Sequence, residues 1–294
     1  MAAHKDLYWW SRDGIRLHAR DYAPAEGADP ARPPILCLPG LTRNARDYER
    51  LAERLCAGWR VIAVDFRGRG ESAYAKDPMS YVPLTYVQDV EALLGELAVD
   101  RYVAIGTSLG GIVAMLLAGA AREQLAGVLL NDVGPEIDSA GLARIRSYVG
   151  RSSTWPTWMH AARAVAEANA DVYPGYDIAE WLAMAKRLYR VNNAGRIVLD
   201  YDMKIAEPFR LPGNEAGPDM WRALDQLKTV PVALVRGGRS DILSQAVAQR
   251  MAAELSHAEL AVVPDVGHAP TLDEPEAIAA TDRLLARIAE QAPA

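Results

Sequence analysis

The chain has 294 residues, half of them hydrophobic, 24% charged and 7% aromatic. That balance excludes collagen-like, disordered and disulfide-scaffold classes and leaves room for a large core in one α/β domain or two. With 32 basic and 38 acidic residues mixed along the chain, for a formal charge of −6, no sustained electropositive surface is offered to a phosphate backbone.

The first elements form a hairpin. Leu7-Tyr8-Trp9-Trp10 and the alternating run Ile15, Leu17, Ala19 flank Asp13-Gly14, a turn pair that predicts two antiparallel strands. Three short apolar runs follow, Ile35 to Leu38, Val61 to Val64 and Tyr102 to Ile105, separated by helix-patterned stretches Ala45 to Cys56 and Thr85 to Leu97. Strands alternating with helices imply crossover connections and a mostly parallel sheet covered on both faces. A helix from about Gly110 to Ala121 and a strand at Val128 to Leu130 continue the pattern. It then breaks from Gly134 to about Leu224, where the chain reads as helices parted by Pro and Gly without a convincing strand. Alternation resumes with Val232 to Val235, a helix from Ser244, Leu260 to Val263 and a final amphipathic helix from Glu274. Residues 1–132 and 226–294 therefore read as one α/β core, and 133–225 as a helical cap inserted into it. Cys37 and Cys56 read as small buried hydrophobes in a reducing compartment. With no secretory h-region and no apolar run of the roughly 18 residues a membrane span needs, the expected location is cytoplasmic.

The most informative local pattern is Gly106-Thr107-Ser108-Leu109-Gly110-Gly111, a G-x-S-x-G set between a buried strand and an apolar helix. In that context the motif is a nucleophile elbow. The glycines let the backbone close sharply, and Ser108 projects beside a helix N-terminus whose amides favour developing negative charge. A serine hydroxyl needs a base, and the base an orienting acid. Of five histidines, His268 follows the last predicted strand, at the sheet edge where the elbow lies; His18 falls on an antiparallel strand, His257 in a polar turn and His160 in the inserted block. His268 is the expected base. Asp241, just beyond the penultimate strand, is the favoured acid, with Asp132 as its rival; Asp265 lies too close to His268 on one loop to orient it.

Across nearly its whole length the sequence resembles the α/β-hydrolase superfamily, in the capped branch of esterases, lactonases and meta-cleavage-product hydrolases. Four segments carry the resemblance: Leu38-Pro39-Gly40-Leu41, Asp65-Phe66-Arg67-Gly68-Arg69-Gly70-Glu71-Ser72, the elbow, and Gly267-His268. The order Ser, Asp, His agrees with that fold. The resemblance implies an oxyanion hole from the backbone amides of Leu41 and Leu109. Many relatives have His where this chain has Pro39, which stiffens the loop but offers no side-chain hydrogen bond. The Arg67-Gly68-Arg69-Gly70 run reads as a tight loop of this fold rather than an RNA-binding segment.

The expected function is hydrolysis of a carboxylic ester or lactone of a small, largely apolar substrate through an acyl-enzyme. The alternatives are a carbon–carbon hydrolase of vinylogous diketone acids, a group that usually carries Asn where this chain has Thr107, and a non-catalytic ligand-binding member. Ten of the 21 aromatic residues fall in the inserted block, so Trp155, Trp158, Trp181 and His160, together with Arg43 after the oxyanion loop, are candidate substrate contacts. No dinucleotide fingerprint, phosphate loop or metal-ligand cluster occurs, so neither cofactor nor metal is expected. The expected partner is a small-molecule substrate, with neither nucleic acid nor membrane; a homodimer is compatible with the sequence.

Overall fold

The computed structural model describes residues 3–208 and 219–291. The opening hairpin forms from β1 (Lys5–Trp10) and β2 (Arg16–Tyr22), around a turn in which Gly14 takes φ +76°. Then come β3 (Ile35–Leu38), a 3-10 turn (Ala45–Tyr48) running into α1 (Glu49–Leu55), β4 (Val61–Asp65), α2 (Pro83–Glu96), β5 (Tyr102–Thr107), α3 (Leu109–Ala120) and β6 (Leu125–Asn131). The long segment before the next main-sheet strand holds α4 (Ser139–Tyr148), β7 (Thr154–Trp155), α5 (Trp158–Asn169), α6 (Ile178–Leu188), β8 (Tyr189–Val191), β9 (Ile197–Leu199) and α7 (Met220–Asp225). The chain finishes with β10 (Val232–Gly237), α8 (Gln245–Glu254), β11 (Ala258–Val263) and α9 (Pro275–Glu290).

The main sheet has the order β1-β2-β4-β3-β5-β6-β10-β11, parallel from β4 to β11 and antiparallel at the β1 and β2 edge. This is the α/β architecture expected from the alternating pattern. Its short apolar runs are buried on both faces because successive side chains point to opposite sides. Leu36, Leu38, Ile62, Val64 and Ala104 pack on one side with buried residues of α2, α3 and α8. Ile35, Cys37, Val61, Ala63, Val103 and Ile105 pack on the other with α1 and α9. The order reverses at β3, whose neighbours are β4 and β5. A crevice therefore opens beyond the carboxyl ends of β3 and β5, where such sheets bind ligands.

One expectation is corrected. The segment from Gly134 to Leu224 does contain strands: β7, β9 and β8 form a small antiparallel sheet. Strands of two or three residues are too short for alternation to register against the helical pattern around them. A turn signal was nonetheless available: Asn192 Oδ1 accepts from the amides of Ala194 and Arg196, and Gly195 takes φ +71°. This segment has an apolar cluster of its own, including Ala161, Val165, Trp181, Met184 and Ile197. Tyr201, Ile205 and Leu224 instead join the core beneath the main sheet. Among the described residues, no helix is long and apolar enough to cross a membrane.

Candidate active site

Ser108 stands where β5 turns into α3, with φ 53° and ψ −118°. That conformation is rare for a residue with a Cβ and persists only where its surroundings impose it. The elbow's glycines are part of the imposition. A Cβ on Gly110 would lie 1.9 Å from the Leu38 carbonyl oxygen, and one on Gly106 would lie 2.5 Å from the Gly110 carbonyl oxygen. Leu109 opens α3, so its amide lies in the first turn, where an α-helix supplies no acceptor of its own.

His268 lies beyond β11 and bridges two side chains. Its Nε2 is 2.9 Å from Ser108 Oγ and its Nδ1 is 2.8 Å from Asp132 Oδ2. Asp132 directly follows β6, has φ 57°, is 0% exposed, and accepts a second hydrogen bond from the Gly237 amide at 2.9 Å. The favoured acid of the sequence reading is thereby corrected: Asp241 does not meet His268. Its carboxylate is gripped at both oxygens by Arg144 of α4, at 2.5 and 2.8 Å, and this pair holds its carboxyl below the ordinary range. Arg236 donates to the carbonyls of Leu243 and Gly238, folding the loop after β10 onto itself. Asp241 is thus engaged by Arg144 and makes no hydrogen bond to His268, while Asp132, directly after β6, does.

Two further segments fix the rim. Asp65 Oδ1 accepts from the Ala45 amide and Oδ2 from the Glu71 amide, joining the loop after β3 to the Arg67-Gly68-Arg69-Gly70 loop. Arg69 is fully buried against the rings of Tyr81 and Tyr86 and donates from Nε to the Leu41 carbonyl at 2.8 Å. Asn131 Nδ2 donates to Thr107 Oγ1 and to the Pro270 carbonyl, which ties the elbow to the His268 loop. No local pattern in the sequence marks Asn131 for this role.

Asp65 also holds His18. The ring of His18 is buried, with Nδ1 2.7 Å from Asp65 Oδ2 and Nε2 3.0 Å from Asp6 Oδ1. Burial favours the neutral ring, but the two carboxylates outweigh it and raise its pKa above the ordinary 6.5. A raised folded-state pKa gives stability that is complete below the unfolded value and drains away as pH rises through the folded one. Denaturant titrations of wild type and His18→Gln should therefore differ most below about pH 6.5 and converge as pH rises. A gap independent of pH between 6 and 9 would contradict a charged His18.

Ser108, His268, Gly40 and Leu41 line a cavity of about 570 Å³. The segment between β6 and β10 supplies much of the opposite wall, though not through the residues expected. Trp181 is buried in that segment's own cluster, where Trp155 and Trp158 pack against it. His160 is exposed, with Nδ1 2.8 Å from Thr157 Oγ1 at the start of α5. None of these four lines the cavity; the aromatic lining from this segment is Tyr148, Tyr173, Tyr189 and Tyr201. Helical periodicity marks an apolar stripe, but which stripe faces a neighbouring layer depends on docking. Arg43 does line the cavity, yet both oxygens of Asp47 hold its guanidinium, at 2.5 and 2.7 Å.

Residues 35–281 match the family model described as the alpha/beta hydrolase family. The chain is 35% identical over 271 residues to a 3-hydroxybutyrate-oligomer hydrolase of Cupriavidus necator, covering 90% of this chain and 91% of that one. It is 27% identical over 253 residues to an esterase of Mycobacterium tuberculosis, covering 84% and 80%. A crystal structure of an alpha/beta hydrolase from Novosphingobium aromaticivorans superimposes with a TM-score of 0.91 at 56% identity, covering 98% of this chain and 99% of that one.

Proposed function

The chain belongs to the α/β-hydrolase family and is a hydrolase, and from that premise we propose that it cleaves carboxylic esters through a covalent acyl-enzyme on Ser108. The observation that carries this reading is the unbroken chain from Asp132 through both nitrogens of His268 to Ser108 Oγ at the cavity wall. In the proposed reaction Ser108 Oγ attacks the ester carbonyl as His268 Nε2 takes its proton. Asp132 holds the ring in the required tautomer and stabilises the imidazolium. The amides of Leu41 and Leu109 stabilise the oxyanion, and the Arg69 bond to the Leu41 carbonyl steadies the first of them. His268 then protonates the departing alcohol, and water activated by the same ring releases the acid. Residues 133–225 act as a cap that shapes the substrate pocket.

The relative acting on 3-hydroxybutyrate oligomers supports an ester of a short hydroxy acid as substrate. The cavity sets tyrosines and arginines among aliphatic residues such as Val165, Met184 and Leu199, a lining that suits a small molecule with both polar and apolar parts. The test is a hydrolysis panel of a linear 3-hydroxybutyrate dimer, short and long acyl esters and lactones, each run against Ser108→Ala. Turnover should fall by at least about 10⁴-fold in the variant, and a fluorophosphonate should label Ser108 in wild type alone. Wild-type turnover by Ser108→Ala would refute the assignment.

A further inference from the structure

Arg187, near the end of α6, lines the same cavity with a side chain only 16% exposed. Its nearest carboxylate is Asp47, but both oxygens of Asp47 are taken by Arg43. Arg187 Nε is left 3.6 Å from Asp47 Oδ1, beyond hydrogen-bonding distance, and that buried nitrogen has no partner. Among the described residues, no hydrogen bond from the Arg187 guanidinium is present. A guanidinium has five donors in a planar fork, and a largely dehydrated one is costly unless a carboxylate or phosphate completes it.

The charge around the cavity points the same way. Arg43, Arg144, Arg151 and Arg187 line it against the carboxylates of Asp47 and Asp273. Asp273 is engaged by Arg50, which is not part of the wall, and Asp241 takes up Arg144. Asp47 lies within ion-pairing distance of both Arg43 and Arg187 but hydrogen-bonds only Arg43, so two guanidiniums share one carboxylate in the wall that holds Ser108.

We propose that Arg187 is a specificity-determining residue that binds a free carboxylate carried by the ester substrate. The substrate is thus a carboxylate-bearing ester, with the anionic group on the acyl side or on the alcohol side. This rests on the ester-hydrolase reading for its meaning but not for its test. A fork matched to a carboxylate fixes orientation as well as charge, so the anchored end would set which carbonyl is presented to Ser108.

The test is calorimetric binding to Ser108→Ala, which leaves the ligands intact. One pair, 3-(butanoyloxy)butanoate and its methyl ester, carries the carboxylate on the alcohol side. A second, monoethyl glutarate and diethyl glutarate, carries it on the acyl side. In at least one pair the acid should bind about 10- to 100-fold more tightly than its neutral partner, the range of a charge-assisted hydrogen-bonded contact. The pair with the preference identifies the anchored side. Adding Arg187→Gln should bring acid and ester to within about threefold. Arg187→Lys keeps the charge without the fork and should retain an intermediate preference; it also serves if Arg187→Gln does not fold. Equal binding of acid and ester in both pairs, no binding of either, or a preference untouched by both Arg187 variants overturns the proposal. If wild type cleaves no ester while the Arg187-dependent preference persists, the reaction assignment fails and the carboxylate subsite stands. Ester cleavage without the preference gives the opposite result.

Discussion

Asp132→Asn should reduce ester turnover by about 10⁴-fold, whereas Asp241→Asn should leave the chemical step within about threefold of wild type. The asymmetry follows from which carboxylate faces the base. Asp132 Oδ2 accepts from His268 Nδ1–H, and an amide there can present its own N–H and drive the ring into the tautomer that no longer accepts from Ser108. Asp241 contacts Arg144 instead, so its loss costs an ion pair at the half-exposed surface, worth roughly 0.2–1 kcal/mol. Single-turnover rates with an activated ester separate the two cases, because they isolate acylation from product release. A large defect in Asp241→Asn alone would return the acid's role to the loop after β10.

The largest expected effect on stability comes from a residue that does not line the cavity. Arg67 is 1% exposed and bonds both oxygens of buried Asp89 on α2, at 2.7 and 2.6 Å, and both oxygens of Asp13 in the first hairpin. Burial pushes the Asp89 carboxyl up, opposed by the pull of Arg67. Arg67→Met removes that opposition and strands a charge in the interior, which costs about 3–5 kcal/mol. The deficit should be greater at pH 8 than at pH 5, because a carboxyl whose folded pKa is raised destabilises the fold once pH exceeds its unfolded value. Adding Asp89→Leu removes the stranded charge and should recover more than half of the loss. Chemical denaturation of the two variants decides it: a deficit under 1 kcal/mol, or no recovery in the double variant, contradicts the account.

These two sites also divide what the sequence made legible from what it did not. The turn that sets Ser108 between β5 and α3 was readable because its signal is local: a strand, two glycines and a helix within one short stretch. His268 was readable because one histidine follows the last strand at the correct sheet edge. Which aspartate meets His268 was not fixed by position in the chain, since β6 and β10 are parallel neighbours, paired through Asn131 and Val235, and an aspartate follows each. What decided between them was three-dimensional. Arg236 curls one loop back and Arg144 claims its aspartate, while Asp132 tolerates the left-handed backbone that aims it directly at the ring. The pocket wall was hidden for a similar reason. Trp155, Trp158 and Trp181 pack inside their own segment's cluster, while other members of that cluster, Val165, Met184 and Tyr189, reach the cavity wall.

The His268 loop has one more property. Gly267 donates its amide to the Val172 carbonyl at 2.9 Å, and the Tyr173 hydroxyl donates to the Ala269 carbonyl at 2.6 Å. The residues on either side of the base are therefore fastened to consecutive residues between α5 and α6. The segment between α5 and α6 and the loop that carries the imidazole are thereby joined at two adjacent points. A foreign segment grafted between β6 and β10 would leave the His268 loop without both fastenings unless it brought a carbonyl and a hydroxyl to these two positions.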